Sequence, residues 1–372
     1  MIYLDHAATS HPKPAAVLAA VQRWFTDIGV SASRGAGDRC ALAAREVDAA
    51  RAAVAELVGC APHGVAFVSG ATEGLNLALR ALLPPGSRVL TTAFEHSSVV
   101  RPLRALQQER HLQVEVLPPA TDGGLSTDTV REALRSLRPT LLVFTHASNV
   151  TGACFDAAAW CEGARAVGTT TLLDASQTAG LVDLRVGADV VVASAHKALL
   201  GPPGLGFVAT AGRELLPQKQ GGTGHSVALE EHPTAWPAAF EAGTPNTPAI
   251  FGLAAALRQR PAPAQALAAA MTALDELAAG LRTAGGWRLL PAGTAQRVPV
   301  LSGELAGYDP AEVGALLAGA GIHVRTGHHC APWLHRHLGT ETAGTVRFST
   351  SASTTAAEVR AVAAFCASLT NG

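Results

Sequence analysis

The stretch ASAHKALLGPPGLGFV, residues 193–208, decides how this chain is read. The run DVVVASA leads into it, apolar and β-branched like a strand buried on both faces, and its strand signal stops at Ser194. Lys197 follows three residues later. Open α/β sheets bind ligands beyond the C-terminal ends of their strands, and lysine forms Schiff bases once its amine has lost its proton. The glycines and prolines after Lys197 suit close approach of backbone to a ligand, but they also mark ordinary turns. A lysine in such a loop is equally an ordinary surface cation, so the stretch has to be weighed with the rest of the chain.

Upstream, GVAFVSG, SRVLTTAF, QVEVLP, TLLVFTHAS and TTLLDAS are further apolar, β-branched runs of strand length. Helix-patterned segments such as ATEGLNLALRALL, STDTVREALRSL and AAAWCEGARAVG separate most of them, and residues 44–59 have helical spacing ending on Gly59. Strand and helix in alternation predict an α/β fold, a mostly parallel mixed sheet with helices on both faces. Residues 221–248 are irregular and rich in Gly and Pro. Beyond them the chain changes character: an Ala-rich helix over about 263–284, strand-like RVPVLSG, HVRTG and GTVRFSTS, and a closing helix TAAEVRAVAAFCASL. The expected division is a large domain over 15–257 and a smaller α+β domain built from 1–14 and 258–372, with the boundary near 252–261.

The 372 residues are 48% hydrophobic and carry a net charge of −1, enough apolar mass for a large core. No basic block points to nucleic acid, and no apolar run approaches the roughly 20 residues of a membrane span. The sequence starts at Met1 without a positively charged, then apolar, leader. The cysteines Cys40, Cys60, Cys154, Cys161, Cys330 and Cys366 are scattered, with no CxxC pair, as in a reduced cytoplasmic protein.

Three more stretches carry chemistry. In TLLDASQTAG, Asp174 ends a strand 23 residues before Lys197, and Gln177 follows. A buried carboxylate needs a cation, and a protonated pyridine nitrogen is one; an Asp here also caps helices. In FVSGATEGLNLAL a strand runs into a helix beginning near Ala71–Thr72, whose free N–H groups suit a phosphate or form an ordinary capped turn. In AFEHSSVV, His96 follows a strand, where an imidazole can stack on a flat ring or simply be satisfied at the strand end.

Taken in order, YLDHAAT, GATEGLN, FEHSS, SNVTG, DASQTAG, ASAHKALLGPPGLGF, FEAGTPNTP and RTGHHCAP resemble the class V aminotransferase fold, in particular its cysteine desulfurase/selenocysteine lyase group, nearly end to end. The RxGHHCA form is similar to the second of the two desulfurase groups. The resemblance implies a fold type I enzyme dependent on pyridoxal 5'-phosphate. In it, Lys197 attaches the cofactor, Asp174 holds the ring nitrogen protonated, Gln177 bonds the phenolic oxygen and His96 stacks on the ring. Ala71, Thr72, Ser194 and His196 hold the phosphate, and Thr244 reaches the phosphate of a neighbouring subunit, implying a homodimer. Asn149 and Arg347 bind the substrate carboxylate, with Arg325 near the same site. Cys330 is the nucleophile that takes sulfur from L-cysteine as a persulfide, releasing L-alanine, with His328 and His329 as candidates to favour its thiolate. Selenocysteine lyase, or another class V activity such as aminotransfer or epimerisation, is the alternative, and a sulfur-acceptor protein is an implied partner.

Two departures stand out. The family often reads HRG where this chain has SRG at residues 33–35, and the loop between GGTG and FEAG is short for the second group. In VRTGHHCAPWLHRHLG, residues 324–339, a zinc reading would use Cys330, His335 and His337. Zinc sites show paired spacings such as CxxC or HxxxH, and His335 and His337, two apart, fall on different sides of a helix, so no metal is expected.

Overall fold

The computed structural model describes residues 1–32, 35, 37–224 and 230–370. Ser33, on which one departure from the family pattern falls, and residues 225–229 of the irregular region lie outside the described residues.

Seven strands form the main sheet in the order Val65–Val68, Gly206–Thr210, Val190–Ser194, Thr170–Asp174, Leu141–Thr145, Arg88–Thr92, Gln113–Leu117. Gly206–Thr210 runs antiparallel to both neighbours, and the other pairs are parallel. The continuous apolar strands are explained by burial on both faces. Leu141 and Val143 enter one core while Leu142 and Phe144 enter the other. Helices Ala71–Leu82 and Ser97–Arg110 cover the first face with Leu75, Leu79, Leu103 and Leu106. Thr127–Leu137 and Ala157–Ala166 cover the second with Val130, Leu134, Trp160 and Ala164. Each large side chain so buried stabilises by about 1.5–3 kcal/mol.

The later part of the chain forms a four-stranded antiparallel sheet, Arg325–Gly327, Thr345–Ser349, Val300–Leu305, Trp287–Leu289. It shares a core with helices Pro263–Ala284, Pro310–Gly319 and Ala356–Ser368. HVRTG, expected as one strand, divides in two. Ile322–His323 pairs in parallel with Ile2–Tyr3, tying the N-terminal residues to the C-terminal part, and Arg325–Gly327 pairs with Thr345–Ser349.

Two further elements differ from the sequence expectation. The antiparallel strand Gly206–Thr210 follows a Gly/Pro stretch that reads as a close approach to a ligand or an ordinary turn, and it is not among the expected strands. Gly206 is needed there: a Cβ would sit 2.7 Å from the Ala193 carbonyl oxygen and 2.8 Å from the Gly70 backbone, so the sheet could not close under the start of helix Ala71–Leu82. Helix Thr247–Gln259 occupies the place expected to be irregular and then a boundary. Its middle, from Ala249 to Ala256, is buried throughout, so it has no polar face and no amphipathic period to read.

Candidate active site

The parallel strands end on one edge of the main sheet, and the segments that follow them converge there. Val65–Val68 leads to Ala71 and Thr72, Arg88–Thr92 to His96, Leu141–Thr145 to Asn149, Thr170–Asp174 to Gln177, and Val190–Ser194 to His196 and Lys197. These residues, with Arg325 and Arg347 from the second sheet, line one cavity of about 190 Å³. Local signals spread over 276 residues of sequence, from Ala71 to Arg347, thus meet in one place.

Lys197 is the basic centre of this cavity. Its pKa falls to about 8, chiefly because burial destabilises the ammonium. Asp174 opposes that fall, while Arg347 and Arg325 add to it. Asp174 is 4% exposed and its Oδ1 accepts the Ser176 N–H at 2.9 Å. The loop carrying Lys197 is pinned from the N-terminal segment. The His196 carbonyl accepts from the Ser10 N–H at 2.9 Å and from Lys13 Nζ at 2.7 Å.

His96 caps helix Ser97–Arg110. Its Nδ1 accepts the Ser98 N–H at 3.0 Å, so the neutral ring carries its proton on Nε2. Burial first, then the Lys197 charge, lowers its pKa to about 4, so the imidazole is neutral at pH 7. The start of helix Ala71–Leu82 forms a polar cradle. The Ala71 N–H donates to Ser194 Oγ at 3.1 Å, and Thr72 Oγ1 lies 2.8 Å from Ser98 Oγ. His196 Nδ1, buried nearby, has no hydrogen-bond partner among the described residues.

Arg325 and Arg347 stand directly opposite each other in the second sheet. Like charges in that position repel, a cost that makes sense where an anion is to be bound. Arg347 is 1% exposed. It is held by Asp5 Oδ1 at 2.5 Å and by the Asn149 carbonyl at 3.2 Å, and its Nε has no partner among the described residues. Arg325 Nη2 donates to Cys330 Sγ at 3.3 Å, which brings the thiol beside the guanidinium pair.

The histidines around Cys330 turn elsewhere. His328 Nε2 meets the Glu341 carbonyl at 2.7 Å, and His329 Nε2 meets Thr345 Oγ1 at 2.9 Å. Neither ring is hydrogen-bonded to the Cys330 sulfur, which accepts from Arg325 instead. His329 is 2% exposed, and burial pushes its pKa down to about 2. His335, fully buried in helix Pro332–Leu338, bonds Thr340 Oγ1 at 2.7 Å and packs on both rings, while His337 is exposed. His335 is therefore a packing residue of the loop. No cluster of three or more His, Cys, Asp or Glu side chains able to hold a metal occurs among the described residues.

Of the expected residues, Cys330 does not itself line the cavity and reaches it through Arg325, while Thr244 lines a separate pocket with Ser69, Glu73 and Lys219. Sequence reasoning missed four others. Ser98 joins His96 to Thr72, Ser97 holds the Cys330 carbonyl, Asp5 holds Arg347, and Glu95 is a fully buried carboxyl bonded to Thr92 Oγ1 and the Thr145 N–H. Their signal was present in FEHSS and YLDHAAT, but which way each side chain turns depends on distant segments.

A lysine and a carboxylate at the C-terminal edge of a mostly parallel sheet, with a phosphate-type cradle at a helix start, define a pyridoxal-phosphate-dependent enzyme of fold type I. Within that class, this chain belongs to the class-V aminotransferase family, whose sequence pattern matches residues 2–362. It is 33% identical over 363 residues to a cysteine desulfurase of Pectobacterium carotovorum, an alignment covering 91% of this chain and 86% of that one. It is 34% identical over 361 residues to a probable cysteine desulfurase of Mycolicibacterium paratuberculosis, covering 92% of this chain but only 51% of that protein's length. Among solved structures, the apo cysteine desulfurase of Thermococcus onnurineus superposes with a TM-score of 0.92 at 27% identity, over 100% of this chain and 95% of the other.

Proposed function

We propose that the chain is a pyridoxal-phosphate-dependent cysteine desulfurase. The balanced reaction is L-cysteine plus the Cys330 thiol giving L-alanine plus a Cys330 persulfide. The observation that carries this reading is that Arg325, which lines the cavity with Lys197, donates to Cys330 Sγ. A pure aminotransferase has no need of a thiol there.

The residues present fit the cofactor. The buried Asp174 suits a cationic ring nitrogen, and the unpartnered His196 Nδ1 with the Ala71 N–H, Thr72 and Ser194 suits a phosphate. Gln177, now donating to the Ala7 carbonyl at 3.1 Å, is placed to bond a ring oxygen. When bound at Lys197, the cofactor supplies an electron sink that weakens the substrate's Cβ–S bond. The chain's own residues do the rest. Lys197, with its lowered pKa, exchanges a proton near neutral pH. Neutral His96 offers Nε2–H toward the cavity without adding charge. Arg347 and Asn149 orient the substrate carboxylate, and Asp5 holds Arg347 in place. Arg325 keeps the Cys330 sulfur as a hydrogen-bond acceptor, the role a thiolate fills best.

The same reading takes 15–257 as the cofactor-binding domain and 1–14 with 258–372 as the domain carrying the Cys330 loop. It makes the enzyme a cytoplasmic homodimer, with Thr244 reaching across to the second site and an acceptor protein taking the sulfur. No helix among the described residues is long and apolar enough to cross a membrane. The test is a substrate panel of cysteine, selenocysteine, cysteine sulfinate, kynurenine and common amino acids, scored for alanine and for keto acid. Alanine from cysteine, with a persulfide mapped to Cys330 and lost in Cys330→Ala, is expected. Keto acid as the product, or full activity in Cys330→Ala, would overturn the proposal.

A further inference from the structure

The thiol loop is held in an unusual shape. His329 and Cys330 both have positive φ, 48° and 59°, a conformation that residues with a Cβ rarely adopt. Such a turn persists only where its surroundings hold it. Two consecutive carbonyls are gripped here. The His329 carbonyl accepts from Asn149 Nδ2 at 2.6 Å. The Cys330 carbonyl accepts twice from Ser97, from its N–H at 2.6 Å and its Oγ at 3.0 Å.

Ser97 is the first residue of helix Ser97–Arg110 and lies between two residues of the cofactor cavity. His96 precedes it, and Ser98 follows, bonded to both His96 Nδ1 and Thr72 Oγ1 at 2.8 Å. One helical turn therefore touches the cavity with His96 and Ser98 and the thiol loop with Ser97. The geometry points to Ser97 as a positioning residue for the reaction: it clamps the Cys330 loop to the turn that carries His96 and so sets where the thiol stands relative to the cofactor. This rests on the reading of Cys330 as the sulfur-accepting nucleophile.

The clamp can be dismantled in steps. Ser97→Ala removes the hydroxyl donor and keeps the N–H. Ser97→Pro removes both, at the first helical position where proline is tolerated. His96, at φ −69° and ψ 155°, already has the extended backbone that a following proline requires. Ser97→Thr keeps both donors. Two readouts are made on each variant: hydrogen exchange of peptides spanning 327–332 in the cofactor-free protein, and kcat and KM for L-cysteine in the loaded enzyme. Exchange in the loop should rise in Ser97→Ala and further in Ser97→Pro. Turnover should fall about tenfold in Ser97→Ala, the equivalent of one hydrogen bond, with KM unchanged because the carboxylate ligands are untouched. Ser97→Thr should restore both. Exchange unchanged in Ser97→Ala, a loss seen only in KM, or an equal loss in Ser97→Thr would each overturn the proposal. The Ala and Thr pair decides the matter even if the Pro variant does not fold. Because hydrogen exchange needs no turnover, it judges the clamp separately from the nucleophile assignment, which falls instead if Cys330→Ala remains active.

Discussion

Lys197 should release its proton near pH 8 in the cofactor-free protein, against 10.5 for an ordinary lysine. Burial lowers the value most, Asp174 pulls it back up, and Arg347 and Arg325 push it down again. The drop is about 2.5 pH units, so at pH 7 roughly a tenth of the amines are neutral, about 300 times the ordinary fraction. Only the neutral amine attacks an aldehyde. The second-order rate of Schiff-base formation with added pyridoxal phosphate, followed by absorbance in stopped flow, should therefore rise about tenfold per pH unit and level off near pH 8. The neighbours set the sign of each perturbation. Asp174→Asn removes the charge that stabilises the ammonium and should move the midpoint down, and Arg347→Met removes a repulsion and should move it up. A wild-type rate still climbing tenfold per unit through pH 10, or a midpoint raised by Asp174→Asn, would refute the reasoning.

Acid should destabilise the fold well before the carboxylates titrate. Burial lowers His6, His146, His196 and His335 to about 4 and His329 to about 2, so below pH 6.5 the unfolded chain binds more protons and stability falls as pH drops toward 4. Urea midpoints between pH 7.5 and 5 check this, and a flat profile would contradict it. Glu95 runs the other way. Burial raises its pKa to about 8, so the folded acid is neutral and stability falls as pH rises from about 4.5 to 8. Glu95→Gln should stay within about 1 kcal/mol of wild type and lose that slope, while Glu95→Ala should cost about 1–3 kcal/mol by leaving the Thr145 N–H and the Thr92 hydroxyl unpaired. Asp5→Ala strands the buried Arg347 guanidinium and should cost about 3–5 kcal/mol in chemical denaturation. A loss under 1 kcal/mol would mean that the pair is not what holds Arg347.

Much of the fold was legible because its signals are local. The strands ending at Asp174 and Ser194 are buried on both faces, so residues 172–173 and 190–193 are all apolar wherever the sheet finally places them. The helix Pro263–Ala284 was readable in length and position from its Ala-rich composition. Where burial surrounds a helix, as in Thr247–Gln259, the period disappears and so did the expectation. The antiparallel strand Gly206–Thr210 was hidden because its first residue is a glycine chosen for closeness to Gly70, a contact that no local window contains.

The sequence by itself determined which residues stand out as candidates for the chemistry: Lys197 and Asp174 at strand ends, His96 after another, Ala71 at a helix start, and the thiol of Cys330 among histidines. Those signals are properties of short segments and survive without knowledge of the fold. Only the tertiary structure decided what stands beside what. It turned His328 and His329 away from the sulfur and placed Arg325 on it, because two antiparallel strands set Arg325 opposite Arg347. It also brought Ser97 to the Cys330 carbonyl across 233 residues of chain. Partnership over that distance depends on where whole elements pack, and no spacing within a motif encodes it.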